Sequence, residues 1–379
     1  MPLTDEQIMI QETARRFAAE RLTPNAAEWD RAAVFPKEAI AEMGEIGLMG
    51  MLIPEEWGGA DVDHVAYALA VEEIAGGDGG VSTTLAVQSL VGMIISKFGS
   101  TDQKRRFLPP MADGTSLGAF MLTEPQAGSD AANLKCQAKR DGNVYRLSGT
   151  KQFITSGANA QVSVVFAVTD PDAGKAGISA FIVPTDLPGY TVSGIEKKMG
   201  QKTSDTAQIV FENVELTPDL LLGEEGKGYK IALANLEGGR IGIAAQSVGM
   251  ARAAYQAAAA YAVERTSFGK PIIEHQAVGF RLADMATRLE AGHQMVLHAA
   301  RLRDSGASCL KEASMAKLFC SEIAESVCSD AIQIHGGYGY LEDFPVERIY
   351  RDVRVCQIYE GTSDVQRLVI ARAIKQENS

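Results

Sequence analysis

The chain has 379 residues, 46% of them hydrophobic, which is enough for two or three domains with ample core. A net charge of −12 excludes a nucleic-acid surface, because neutralising phosphates needs a basic face; a short run such as Lys104-Arg105-Arg106 reads as a solvated helix face. The five cysteines, Cys136, Cys309, Cys320, Cys328 and Cys356, include no C-x-x-C pair and are odd in number, so free buried thiols in a reducing compartment are expected, not a disulfide framework. The first residues show neither a signal peptide nor an Arg-rich transit sequence, and no apolar run approaches membrane-spanning length, so the expectation is a bacterial cytoplasmic protein without membrane attachment.

From Asp5 to about Met111 the pattern is helical. Thr4-Asp5-Glu6-Gln7 offers a cap with an acid in the first turn, and Ile8, Phe17, Val65, Leu69, Ile74, Leu90, Ile94 and Phe98 recur at helical spacings. An all-α domain over residues 1–115 is predicted. The stretch Gly76 to Gly80 reads as a turn between two helices and not as a nucleotide loop, since the sixth position of G-x-G-x-x-G is Ser82 and no strand precedes it.

Near Gly114 the character changes. Val144 to Leu147, Phe153 to Thr155, Val162 to Val168, Ile178 to Val183, Tyr190 to Val192 and Gln208 to Phe211 are short β-branched and aromatic runs, and Asp141-Gly142-Asn143 is a hairpin turn signal. A β-domain, barrel or orthogonal sheets, is predicted over 116–225. Helical patterning returns over 226–379, where Val278, Leu282, Met285, Leu289, Gly292, Val296 and Ala299 step by four and three, the seam of a four-helix bundle. The Ala-rich run Ala244 to Ala262 favours close helix contacts. The fold class is therefore α+β, in the order α, β, α.

Several chemistries are excluded. Gly114-Thr115-Ser116-Leu117-Gly118 matches G-x-S-x-G, but a nucleophile elbow needs a strand before and a helix after it, whereas here a helical run ending in Pro109-Pro110 comes first. The histidines His64, His275, His293, His298 and His335 contain no H-E-x-x-H, and His293 and His298 are five apart, off a shared helix face. A Walker A loop and a dinucleotide fingerprint are both missing, so a nucleotide cofactor would bind without a Rossmann domain.

Three stretches carry positive information. In Tyr359-Glu360-Gly361-Thr362-Ser363-Asp364 a glutamate stands just outside a helix start, beside a glycine that permits close approach; burial there would raise its pKa and make it a usable base, while the bland alternative is an N-terminal cap. Met121-Leu122-Thr123-Glu124-Pro125-Gln126-Ala127-Gly128-Ser129-Asp130 offers hydroxyls and turn amides that could hold a heteroaromatic edge or a phosphate linker, or is simply a polar turn. Gln333-Ile334-His335-Gly336-Gly337-Tyr338-Gly339-Tyr340 is a helix end whose glycines allow backbone approach, or a plain C-cap.

Together with Glu264-Arg265-Thr266-Ser267-Phe268-Gly269-Lys270-Pro271 and Arg348-Ile349-Tyr350-Arg351-Asp352, in this order and spacing, these stretches resemble the acyl-CoA dehydrogenase family over essentially the whole chain. The resemblance implies a homotetramer with non-covalent FAD. Such an enzyme desaturates an acyl-CoA between Cα and Cβ and passes electrons to electron-transfer flavoprotein. On the family pattern Glu360 takes the pro-R α-proton while a β-hydride moves to flavin N5, and the Glu360 backbone N–H with a ribityl hydroxyl polarises the thioester carbonyl. Phe120, Met121, Leu122, Thr123, Gly128 and Ser129 would contact flavin, Ser129 also the pantetheine, and Phe153, Ile154 and Thr155 would lie along the isoalloxazine. Arg265, Phe268 and Gln276, with Gln333, Ile334, His335, Gly336 and Gly337, would reach the FAD of a neighbouring subunit, the arginine suiting the pyrophosphate. Thr362, Ser363 and Asp364 would return to the first FAD. Glu237, Arg240 and Gly361 fall where the family contacts substrate, although Glu237 and Arg240 could equally be intrahelical pair partners. Phe153 stands where many members carry Trp. The alternative base position of some long-chain and isovaleryl-type members is Gly239 here. The stretch Glu237 to Ala244 resembles short-chain and short branched-chain members; an oxygen-reactive acyl-CoA oxidase and a non-catalytic CoA-binding relative are the alternative readings.

Overall fold

The computed structural model describes residues 2–378, apart from the side chain of Leu236. The expected cap opens α1 (Asp5–Phe17): Gln7 N–H donates to the Thr4 hydroxyl and Thr4 N–H to the Gln7 amide oxygen. Helices α2 (Ala26–Ala32) and α3 (Lys37–Glu45) follow, then α4 (His64–Gly77), α5 (Gly79–Phe98) and α6 (Thr101–Ala112). The α4–α5 turn is tighter than its glycines suggested, for Asp78 alone separates the helices and caps α5 by accepting from Val81 N–H at 2.9 Å. Gly80 instead lies inside α5, because a Cβ there would sit 2.1 Å from the Thr203 hydroxyl. Helix α5 corrects the expectation about apolar runs: its 20 residues, mean hydropathy 1.4, are long and apolar enough to cross a membrane. Most of that window is buried, so the helix is core to the protein.

The middle of the chain forms β1 (Gly118–Met121), β2 (Gln137–Asp141), β3 (Val144–Thr155), β4 (Val162–Val168), β5 (Ile178–Pro184), β6 (Tyr190–Ile195), β7 (Thr206–Leu216) and β8 (Leu221–Leu222). The Asp141 to Asn143 signal makes the β2–β3 hairpin, with Asp141 opposite Val144 and Gly142 at φ 59°. The hydrogen-bonded path runs β6-β7-β3-β2-β4-β5-β8, with β1 parallel to β4. It is open, ending at β6 and β8, so a closed barrel is not formed. Its halves meet between β2 and β4 at one paired position, Gln137 opposite Val168. Helix α6 continues through Pro109 and Pro110 to Ala112 and is followed by β1, the reverse of the order an elbow needs.

The C-terminal part contains α7 (Gly228–Ala234), α8 (Leu236–Glu264), the two-residue strands β9 (Thr266–Ser267) and β10 (Lys270–Pro271), α9 (Gln276–Asp304), α10 (Leu310–His335), α11 (Pro345–Val353) and α12 (Ser363–Glu377). Helix α10 packs against α8, α9 and α12, the expected bundle. Along α9 the buried residues are Leu282, Met285, Leu289, Gly292, Val296 and Ala299 with Leu297 and Ala300; Val278, at the start of the predicted seam, is half-buried. Ala244, Ala251, Ala254, Ala258 and Ala262 give α8 a narrow buried face. All five cysteines are free and buried.

Candidate active site

The bland reading of Glu360 fails on local geometry. The cap of α12 is Thr362, whose hydroxyl accepts from Val365 N–H at 3.3 Å, and Glu360 lies two residues outside it. Glu360 has φ 52° and Gly361 φ 89°, so a non-glycine residue is held in the left-handed region. Two buried side chains hold this turn. Gln366 donates to the carbonyls of Glu360 at 3.1 Å and Gly361 at 2.9 Å, and Lys317 on α10 donates to the Gly361 carbonyl at 2.7 Å. The Glu360 backbone N–H makes no hydrogen bond among the described residues.

The turn lays the Glu360 carboxylate on α8, so close that a Cβ at Gly239 would stand 2.9 Å from its Oε2. The residue as a whole retains partial solvent access. Burial pushes its carboxyl above the ordinary value, opposed by the positive charges of Arg240 and Lys317. Arg240 is itself buried: Nη1 donates to the Ser314 hydroxyl at 3.1 Å, while Nε has no hydrogen-bond partner among the described residues, and burial lowers its pKa. Glu237 is not an intrahelical partner of Arg240; it pairs across to Arg303 of α9 at 3.2 Å. Lys317 and Gln366 carried no signal in the motifs, because they meet Glu360 only through the tertiary fold, whereas Gly239 was marked by the family resemblance alone.

A second group assembles in the β-domain. Gln152 N–H donates to the Thr123 carbonyl at 3.0 Å and buried Lys151 donates to the Leu122 carbonyl at 3.1 Å and Glu124 Oε1 at 2.7 Å, so Phe120 to Ser129 lies beside Phe153 to Thr155. Burial opposes the Glu124 charge, but Lys151 and the amides of Lys135 and Cys136 outweigh it and hold the carboxyl below its ordinary value. Phe153, at φ 59°, is 62% exposed. Met121 and Ile154 are packed in the core, so only their backbones face this surface; Gly128 and Ser129 are exposed. Ser156 N–H donates to Asp205 at 3.2 Å, and from the same loop Gln201 donates to the Tyr359 hydroxyl at 3.3 Å, which links this group to the Glu360 turn.

The third group does not join the other two in one chain. Arg265, Ser267, Ile334, His335, Gly336, Gly337 and Tyr338 border a cavity of about 450 Å³. His335 stacks on Tyr261 with centroids 4.4 Å apart, and the Arg265 guanidinium lies 5.7 Å from the Tyr338 ring centre. Phe268 is 95% exposed, and Gln276 and Gln333 are exposed too. Arg265 directly follows α8. At 1.5 Å per residue it lies about 39 Å along the axis from Gly239, farther than one dinucleotide extends.

The site thus sets a desolvated carboxylate against a glycine of a bundle helix, beside an open β-domain, a donor arrangement with the chemistry of a base. The chain matches the sequence models of the acyl-CoA dehydrogenase N-terminal domain over residues 4–115, middle domain over 119–214 and C-terminal domain over 226–375. It is 48% identical to an acyl-CoA dehydrogenase of Bacillus subtilis (strain 168) over 98% of each chain. Among solved structures it resembles butyryl-CoA dehydrogenase from Megasphaera elsdenii (TM-score 0.97, 43% identity, 99% of each chain). It also resembles a chain in a structure described as the electron transferring flavoprotein of Acidaminococcus fermentans (TM-score 0.97, 46% identity, 99% of each chain). The protein belongs to the acyl-CoA dehydrogenase family, whose members are FAD-dependent.

The residues present fit that cofactor. The buried hydroxyls of Ser156 and Ser363 have no hydrogen-bond partner among the described residues. An added Cβ at Gly128, Gly336 or Gly337 would meet nothing within 4 Å, leaving room for a ligand against the backbone. Arg265 supplies a cation at the edge of the cavity of about 450 Å³.

Proposed function

We propose that the protein oxidises a short or short branched-chain acyl-CoA to the trans-2-enoyl-CoA, with Glu360 as the base for the α-proton. The observation that carries this reading is the Glu360 carboxylate, fixed by a strained turn against Gly239 where burial raises its pKa. An α-C–H beside a thioester is a weak acid, so a desolvated carboxylate is suited to take its proton. The free Glu360 N–H, one residue from the Gly361 carbonyl that Lys317 and Gln366 hold, is placed to donate to the thioester oxygen as negative charge develops there. Bound FAD supplies the two-electron acceptor for the β-hydride. Phe120 to Ser129, Phe153 to Thr155 and Thr362 to Asp364 would hold it on one side. Arg240 and Glu237 flank the substrate entrance in this reading, and the domains divide at 115 and 225.

The separation of the Arg265 group from the Glu360 turn, at opposite ends of α8, supports a homotetramer in which Arg265, Phe268, Gln276 and Gln333 to Gly337 complete a neighbour's site. Electron-transfer flavoprotein is the acceptor we assign, supported by the Acidaminococcus likeness. Short acyl groups are favoured by the likeness to the butyryl-CoA enzyme. Anaerobic titration with butyryl-, isobutyryl-, 2-methylbutyryl- and octanoyl-CoA, following flavin absorbance, tests the reaction and the substrate together. Bleaching by a short thioester is expected; a yellow protein that none of them bleaches overturns the proposal.

A further inference from the structure

The base turn is held by a charged side chain that proton abstraction itself does not require. Lys317 lies near the start of α10 and is fully buried. Its ammonium has three donors, yet the Gly361 carbonyl is its hydrogen-bond partner among the described residues. Packing alone favours an apolar residue in such a slot, since an ammonium with one acceptor in an apolar surrounding is costly. The groups facing it are the Cys356 thiol, Glu360 and, from α8, Arg240. Burial depresses the Lys317 pKa to about 8, with Cys356 and Glu360 acting to raise it and Arg240 to lower it further. Facing Glu360 in turn are Arg240, Lys317 and the buried Tyr67 hydroxyl of α4.

We propose that Lys317 is a positioning residue for Glu360, locking the Glu360-Gly361 turn through the Gly361 carbonyl and keeping a positive charge behind the base. This inference rests on Glu360 being the base. Two effects follow, and they are separable. The hydrogen bond, shared with Gln366, fixes the left-handed turn that lays the carboxylate against Gly239. The charge, with that of Arg240, opposes the upward push of burial and so limits how far the carboxyl is raised.

The test compares Lys317→Met and Lys317→Gln holoenzymes with the wild type, reading kcat against pH with the thioester that bleaches the flavin. Both substitutions remove the positive charge, so the acid limb is expected to move to higher pH by about one unit. Plateau kcat falls roughly tenfold or more in Lys317→Met, and less in Lys317→Gln, which retains a donor. KM changes less than kcat, and flavin absorbance stays normal, as a change confined to the base requires. If Lys317→Met does not fold, Lys317→Gln carries the test alone. A flavin-loaded variant with the wild-type acid limb and wild-type kcat overturns the inference. Glu360→Gln, measured alongside, separates the two readings. Near-normal turnover there overturns the base assignment, whereas lost turnover there with an unmoved acid limb in the Lys317 variants overturns the role of Lys317 alone.

Discussion

The two ends of α8 are built on opposite principles. At the N-terminal end, around Gly239, buried Lys317 and Gln366 clamp the Glu360 turn before any ligand arrives. At the C-terminal end, Arg265 borders an open cavity, Phe268 projects almost entirely into solvent and the glycines of the 336–337 turn face empty space. Where a charge must be held in a strained place, the chain provides every support itself. Where a ligand has only to be received, the surface is left open, as the completion by a neighbouring subunit proposed above would require.

The largest effect that would break this contrast is expected at the closed end. Glu360→Gln keeps the shape of the turn and removes the base. FAD and acyl-CoA should still bind, while turnover falls roughly 10²–10⁴-fold, the usual contribution of a general base. Steady-state rates with flavin occupancy check this, and a near-normal rate would sink the assignment. Next comes Gly239→Ala. A Cβ 2.9 Å from Glu360 Oε2 forces the carboxylate aside, so kcat should fall about 10²-fold with flavin retained. Activity within a factor of two would show that the carboxylate has room the structure does not give it.

These two positions also show what the amino-acid sequence discloses. Glu360 was legible because its neighbours form a continuous motif, and β4, a run of β-branched and aromatic residues, was read with its true ends, Val162 and Val168. The strands β1 and β2 were not seen. Gly118-Ala119-Phe120-Met121 and Gln137-Ala138-Lys139-Arg140-Asp141 have weak β-propensity and are strands because β4 and β3 pair with them. Lys317 gives no signal in the sequence, since the carbonyl it holds is 44 positions away. Asp304 was equally silent, though it accepts from the first amides of α4 across 240 residues. A membrane-length apolar helix was missed in α5, because Ser, Thr and Gln interrupt its run; Ser82 and Thr83 bond back to the Gly79 carbonyl and Gln88 to the Met111 and Ser116 carbonyls.

At the open end the expected effect is on cofactor and not on chemistry. Arg265→Ala removes a guanidinium that no protein carboxylate neutralises within salt-bridge distance among the described residues. The variant should purify with depleted flavin, its retention weakened roughly tenfold or more, and regain activity when FAD is added in excess. Full occupancy after gel filtration would count against the role. The outcome sharpens the contrast, because flavin addition cannot rescue Glu360→Gln or Gly239→Ala.

The middle of α8 provides the control, and there the expected effect is smallest. Arg252 reaches buried Glu72 and Glu73 of α4 at 3.6 and 2.8 Å, and His293 of α9 contacts both Glu72 oxygens at 2.9 Å. The hydrogen bond to Glu72 raises the His293 pKa against the opposing effect of burial; the Glu72 and Glu290 charges add to the rise and Arg252 subtracts from it. A histidine with a raised folded-state pKa binds its proton more tightly when folded. Its contribution to stability is therefore complete below the ordinary value of 6.5 and is lost as pH rises through the elevated one. The melting temperature of the wild type should carry this decline above pH 6.5, of order 1–2 °C. In His293→Gln the decline should vanish while flavin content and the pH profile of kcat stay as in the wild type. A changed kcat profile would mean that the middle of α8 communicates with Glu360, and that the two ends are not independent.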